Sequence, residues 1–448
     1  MKIDVIDDLD GFDSVRPAWE RVYASDPHTR YFLSHRFLRD WLGDLGTAWF
    51  VLAARPAPDE DYVAFLPMRI RTRSLPDGHF TSELLMAGNY VADYTGLLCQ
   101  PQQARNTMTT FARALQAMTW TQINIDYVDA TDRRYRSLAS LFSRSRYRTR
   151  YEERVNKLDN VNNLVCPIVY LPDDWEQYLS TISANVRQKL RRLLRMLDAD
   201  GSELQITFPT PQTLPHDYDA LARLWLAKWS ERKGQERALN IAQTNRRLTL
   251  QAYAAGELYM PILKVRGQIV AGLITFLDRT KKSASFYMTG RDETFEGPSP
   301  GLLVQAYSIR DLIGQGYRTY DFLRGDEPYK MLFGPQMLPL QCLRIARLPG
   351  KMPKTALDPR AVPLALDLAT SAHRRGRLKQ AATGYTQILS NAPDNVDALY
   401  RFGQLLEQMS RFADAERLFR RALTLRPGNR PLIQRIAACR LGASLRLN

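Results

Sequence analysis

Asp321, Asp326, Glu327, Tyr329 and Lys330 stand within ten consecutive positions of this 448-residue chain. Side chains of these types can take a proton from a nucleophile, steady a developing negative charge and return a proton to a leaving group. The three carboxylates are candidate bases. Tyr329 can donate a proton to a thiolate or an ester oxygen, and Lys330 brings positive charge to an oxyanion. The same residues have plainer readings. Asp321 fits a strand end whose carboxylate satisfies backbone donors, and Asp326 with Lys330 fits a surface ion pair four residues apart.

Upstream lies a second feature, Gly297-Pro298-Ser299-Pro300-Gly301. It interrupts a strand pattern (Ala284 to Thr289) and opens a helical one, with Leu302, Ala306, Ile309 and Ile313 at helical spacing. A loop of small residues opening a helix presents backbone N–H groups at the positive end of the helix dipole, where phosphates bind. Such a loop also serves as a plain connection.

The elements that must position these groups follow from periodicity. Leu258 to Val265, Ile269 to Leu277 and Ala284 to Thr289 read as three strands joined by hairpins, with turns at Arg266-Gly267-Gln268 and Asp278 to Lys282. Val165 to Leu171 is a strand. Ser183 to Leu197 and Asp217 to Arg232 are helices, the latter with Leu221, Leu224, Trp225 and Trp229 as its apolar stripe. Gly314 and Gly316 end the helix after the loop, and strands follow at Thr319 to Leu323 and Leu340 to Ala346. The order is strand, two helices, three antiparallel strands, loop, helix, strand, strand.

That order resembles the GNAT acyltransferase fold. "GQIVAGLITF", "SPGLL", "IGQGYRTYDFLRGDEPYK" and "YFLSHRFLRDWLGDLG" resemble the CelD-like acetyltransferases named for cellulose biosynthesis, related to the Fem-type aminoacyltransferases. The similarity runs from about Met1 to Ala346. It implies an α/β fold of two tandem GNAT-like units with mixed, mostly antiparallel sheets. It also implies acetyl-CoA or another acyl-CoA as donor, no metal, and an amine or hydroxyl acceptor on a small molecule, glycan or peptide. Lys330, Tyr329, Asp321 and Asp326 form the expected catalytic set; Tyr329-Lys330 matches the aromatic–lysine pair of the Fem-type enzymes. Met288, Gly290, Ser299, Pro300, Gly301 and Leu302 form the expected donor site. The common GNAT loop pattern Gln/Arg-x-x-Gly-x-Gly/Ala is absent, and "EGPSPG" stands in its place. An aminoacyl-tRNA donor, a longer acyl chain and a non-catalytic scaffold stay open.

Residues 1–164 form the first unit, with helices at Asp13 to Ala24, Ser34 to Leu45 and Ala104 to Met118. Its strands are Trp49 to Ala54, Tyr62 to Ile70, Tyr94 to Cys99 and Gln122 to Tyr127. It lacks a Gly/Pro loop and reads as a companion that builds the acceptor cleft. Residues 165–348 form the transferase unit and 349–363 the linker. Residues 364–448 are an all-α tetratricopeptide segment. Two windows there repeat at 34 residues, pairing Ala369 with Gly403, Ala381 with Ala415, Tyr385 with Phe419 and Pro393 with Pro427. Pro431 to Leu441 is the expected capping helix. So few repeats must lean on the transferase body or on a partner.

The net charge is +15. Arg360 to Asn448 holds 15 Lys/Arg against 6 Asp/Glu, a net of +9, which favours an acidic protein or carrier at the repeats. Arg187, Lys189, Arg191, Arg192 and Arg195 concentrate charge on one helix, suiting a phosphate-bearing ligand or a solvated helix face. The four cysteines and five histidines show no metal or disulfide spacing. The acidic start and the lack of a long apolar run lead to the expectation of a cytoplasmic protein without a membrane span.

Overall fold

The computed structural model describes residues 1–156 and 160–444. The first half runs β1 (Lys2–Ile6), α1 (Leu9–Ser14), α2 (Arg16–Ser25), α3 (His35–Gly43), β2 (Trp49–Arg55), β3 (Ala64–Ser74), β4 (Phe80–Met86), β5 (Leu98–Cys99), α4 (Ala104–Ala117), β6 (Gln122–Asp129), α5 (Arg133–Ser140) and β7 (Tyr147–Glu152). A small ladder, β8 (Val155–Asn156) with β9 (Val161–Asn162), leads to the second half. There follow β10 (Val165–Tyr170), α6 (Trp175–Thr181), α7 (Ala184–Leu197), β11 (Leu204–Thr207), α8 (Leu214–Lys233) and α9 (Gln235–Ala254). The chain then forms β12 (Leu258–Tyr259), β13 (Ile262–Val265), β14 (Gln268–Asp278), β15 (Ser283–Arg291), α10 (Pro300–Gly314), β16 (Thr319–Asp321) and β17 (Gln336–Arg347).

Helix α9 is absent from the expected order. Its buried face is mostly small, with Ala238, Ala242 and Ala252, so it offers little apolar period to read. The expected strand at Leu258 to Val265 breaks at Met260-Pro261, because proline donates no ladder hydrogen bond. The turn Arg266-Gly267 has positive φ at both residues, as a tight hairpin with right-handed strand twist requires. Strand β14 is buried from Val270 to Asp278 and forms the centre of the second half.

Each half contains one parallel pair bridged by a helix. Glu83 to Leu85 pair with Gln122 to Asn124 across α4, and Ser283 to Ser285 pair with Thr319 to Asp321 across α10. The architecture is therefore two GNAT-like units in tandem. They fuse through β17. Its start pairs with β10 of the second half, while residues from Leu340 onward pair with β6 and β7 of the first. One sheet thus runs β1-β2-β3-β4-β6-β17-β10-β16-β15-β14-β13-β11.

The C-terminal helices α11 (Val362–Arg374), α12 (Leu378–Asn391), α13 (Val396–Gln408), α14 (Phe412–Leu425) and α15 (Arg430–Ser444) pack as successive antiparallel neighbours. A Cβ at Gly403 would lie 2.5 Å from Phe419, the close crossing that the repeat pattern requires. The helices do not stand apart. Phe80, Leu343 and Ile345 share one core with Ala369, Ala381, Tyr385 and Ile388. Leu357 and Asp358, in the expected linker, are buried.

Candidate active site

The parallel ladder of β15 and β16 lasts only three residue pairs, although β15 continues to Arg291. Beyond Asp321 the chain stays with β10 instead: Phe322 N–H bonds Pro167 O at 2.9 Å and Gly325 N–H bonds Val165 O at 3.0 Å. The two strands part, and a cavity of about 620 Å³ opens between them. Phe286 to Arg291 form one wall, Phe322 to Arg324 another, and Ser299, Gly301 and Leu302 at the start of α10 a third. The first-turn N–H groups of a 15-residue helix thus border the gap.

The expected donor residues Met288, Gly290, Ser299, Gly301 and Leu302 all line this cavity. Pro300 does not; it is buried at the first position of α10, where its fixed φ suits a helix start. Gly290 has a second reason to be glycine. A Cβ there would sit 2.6 Å from Leu221 O, so α8 can pack on β15 only because the side chain is missing. At Gly301 a Cβ would meet nothing closer than Arg291 Cδ, at 3.4 Å.

The expected catalytic set divides. Tyr329 and Lys330 line the cavity, as does Glu327. Lys330 is 3% exposed, and Nζ donates to Arg324 O and Gly325 O at 3.0 Å each. Its third partner is Glu327, 2.8 Å away, rather than Asp326. The ammonium therefore spends two donors on carbonyls of its own loop and holds Glu327 as an ion pair. Tyr329 lies beside Glu327; burial, then the Glu327 charge, push its phenol above the usual range, so it stays protonated at neutral pH.

Asp321 and Asp326 lie outside the cavity wall. Asp321 is buried between the halves, accepting from Tyr94 Oη at 2.6 Å and from Leu323 N–H at 2.8 Å. Burial raises its pKa against the opposing charge of Arg30. The bond to Leu323 holds that residue at φ +57, which turns Arg324 toward the cavity. These are the bonds of a strand-end residue, and Asp321 does not line the cavity. Asp326 accepts from Asn162 N–H at 2.8 Å and ties its loop to the β8–β9 ladder.

Several lining residues were not expected. From the first half comes Asp93, ion-paired with Arg324, whose guanidinium stacks 3.8 Å from the Tyr127 ring centroid. No local signal could place Asp93 opposite Arg324, 231 residues later. Trp225, Lys228, Trp229, Arg232 and Lys233 of α8 complete a basic wall, joined by Lys189 of α7, one of the cations whose spacing suited a phosphate-bearing ligand. The spacing on α8 was legible as a stripe, but its two tryptophans read as core. In the first half the place corresponding to this gap is closed. Thr95 N–H bonds Tyr127 O at 3.1 Å, and Asn89 Nδ2 donates to Asp126 at 2.8 Å.

Two family descriptions match the chain: an acetyltransferase (GNAT) domain over residues 184–331 and a tetratricopeptide repeat over residues 372–439. The chain thus carries a GNAT domain followed by tetratricopeptide repeats. Among solved structures it is similar to FemX, with 11% identity and a TM-score of 0.53 over 77% of this chain and 97% of that one. A tandem GNAT protein from the clavulanic acid biosynthesis pathway aligns with 12% identity and a TM-score of 0.45, over 79% of this chain and 99% of that one. No curated protein matches. The likeness to FemX is one of fold. Among the described residues no group of three or more His, Cys, Asp or Glu could hold a metal, and no helix is long and apolar enough to cross a membrane.

Proposed function

We propose that the protein is an acyltransferase that moves an acyl group, preferably acetyl from acetyl-CoA, to an amine or hydroxyl of a carbohydrate or other metabolite, in the manner of the CelD-like branch. The observation that carries this reading is the parting of β15 from β16 beside the start of α10. A strand edge freed from its ladder offers backbone groups to the amides of a pantetheine arm, and the helix start suits the pyrophosphate. The acyl carbon then lies toward Tyr329. Tyr329, kept protonated, donates to the leaving thiolate. Glu327 is the nearest carboxylate on the cavity wall for the acceptor's proton. Lys330 holds the Arg324–Gly325 turn in shape and acts on the reaction through it. The first unit supplies the far side of the acceptor cleft through Asp93. The repeats are proposed to recruit an acidic protein or carrier.

A second donor, aminoacyl-tRNA, is favoured by the cations crowding the cavity mouth. Titration of the full chain with acetyl-CoA and, separately, with charged tRNA decides between them. Saturable acetyl-CoA binding with turnover on a model amine supports the first. Binding of charged tRNA alone replaces it with the second, and binding of neither removes both.

A further inference from the structure

Helix α10 carries Gly301, Gln305 and Ile309 on one face at four-residue spacing. Gly301 and Gln305 line the cavity; Ile309, one turn further on, is fully buried and does not. A helix face turned inward is normally apolar. Gln305 is the exception. It is 4% exposed and shares the cavity wall with Phe286, Phe322 and Phe333. One end of its amide has a partner: Oε1 accepts from Tyr320 Oη at 2.6 Å. Tyr320 is itself fully buried, in the short β15–β16 ladder just before the strands part. That bond orients the amide and leaves Nε2 with two N–H donors on the side of the cavity. Among the described residues nothing accepts from them. Buried polar groups are normally satisfied. Ser308, buried on the same helix, shows the plain structural use, since its hydroxyl is spent on Val304 O at 2.7 Å.

We infer that Gln305 is a specificity-determining residue of this cavity, whose Nε2 donates to an oxygen of the bound ligand. The space beside it takes a group that carries an acceptor oxygen and disfavours a plain alkyl chain. An alkyl chain seated there displaces water from a buried amide and gives the amide no partner, which selects for ligands that do. The placement inside an acyl-donor site rests on the function proposed above; the oriented donor itself rests on the Tyr320–Gln305 bond. Two sources fit the oxygen, an amide carbonyl of the donor's pantetheine arm or an oxygen on the acyl group.

Calorimetry on the full chain and its Gln305→Leu variant, with CoA, butyryl-CoA and 3-hydroxybutyryl-CoA, tests this. If the pantetheine arm is the source, the variant binds all three at least tenfold more weakly. If the acyl group is the source, CoA binds both proteins alike, and wild type binds 3-hydroxybutyryl-CoA at least tenfold more tightly than butyryl-CoA. The variant then binds those two equally. A variant that keeps both its affinity for CoA and the wild-type order between the thioesters overturns the inference. Should wild type bind no CoA compound, the acyl-CoA reading fails by itself. Charged tRNA is then the probe: at least tenfold weaker binding by the variant supports the role of Gln305, and equal binding, or none by wild type, overturns it. The pair Gln305→Leu/Tyr320→Phe removes both ends of the bond, so that no buried hydroxyl loses its acceptor. It replaces the single variant should thermal unfolding show that one to be unfolded.

Discussion

Lys330 and Glu327 meet at 2.8 Å on the cavity wall, with Lys330 almost wholly buried and Glu327 about a third exposed. The pair closes the turn Arg324-Gly325, whose two carbonyls take the other Lys330 donors. Gly325 stands at φ +108, a conformation that side chains rarely adopt, and a Cβ there would lie 2.5 Å from Glu327 Oε2, so the turn needs glycine at this position. Lys330→Met leaves the Arg324 and Gly325 carbonyls unpartnered and Glu327 without its ion pair. We expect a loss of about 2–4 kcal/mol of stability and a fall in turnover of roughly 10²-fold. Chemical denaturation and steady-state kinetics check this. A variant of wild-type stability that still loses turnover would return Lys330 to direct action on the oxyanion.

Tyr329→Phe removes the proposed acid without touching the loop. Turnover should fall about 10- to 100-fold with donor affinity unchanged. Because burial and Glu327 raise the phenol pKa, wild-type turnover should show no Tyr329-dependent decline up to about pH 10. An alkaline decline below that pH, lost in the Phe variant, would contradict the raised phenol pKa.

Gly301→Val places a branched side chain where a pyrophosphate must approach the helix start. Donor affinity should drop at least tenfold, about 1.4 kcal/mol, with the circular dichroism spectrum intact. Unchanged affinity would take the α10 start out of the donor site.

Gln387 of α12 is 1% exposed, and its amide bonds both Phe80 N–H, at 2.6 Å, and Phe80 O, at 2.9 Å. Gln387→Ala should cost about 1–3 kcal/mol, since both backbone groups lose their partner in a dry interface. A chain ending near Lys351 should not fold stably, because Phe80 and its neighbours lose their cover. A monomeric truncated chain with wild-type melting temperature would show that the repeats are a separate unit.

His28 Nδ1 lies 3.0 Å from Asp129. The bond to Asp129 raises the His28 pKa above 6.5. A raised histidine pKa adds stability that is complete below the unfolded value and is lost as pH rises through the folded value. Melting temperature should therefore decline from about pH 6.5 upward by more in wild type than in His28→Gln. Parallel pH profiles would remove the pair from the stability balance.

Much of this architecture was legible because it is local. The hairpins of the second half follow from turn residues such as Arg266-Gly267, and α10 from Ser299-Pro300-Gly301 ahead of a helical period. The repeats follow from small and aromatic residues recurring at 34. The tertiary structure decided what depends on distant neighbours. It seated Asp321 away from the cavity wall, where Tyr94 and Leu323 take its oxygens. It gave Lys330 the partner Glu327 instead of Asp326, because the loop coils as a 3-10 turn. It carried β17 across into the first half's sheet and seated α12 on Phe80, since strand edges and apolar faces choose partners by shape and burial. A single sequence displays which groups are available; which of them share a cavity depends on how strands far apart in the chain part and pair.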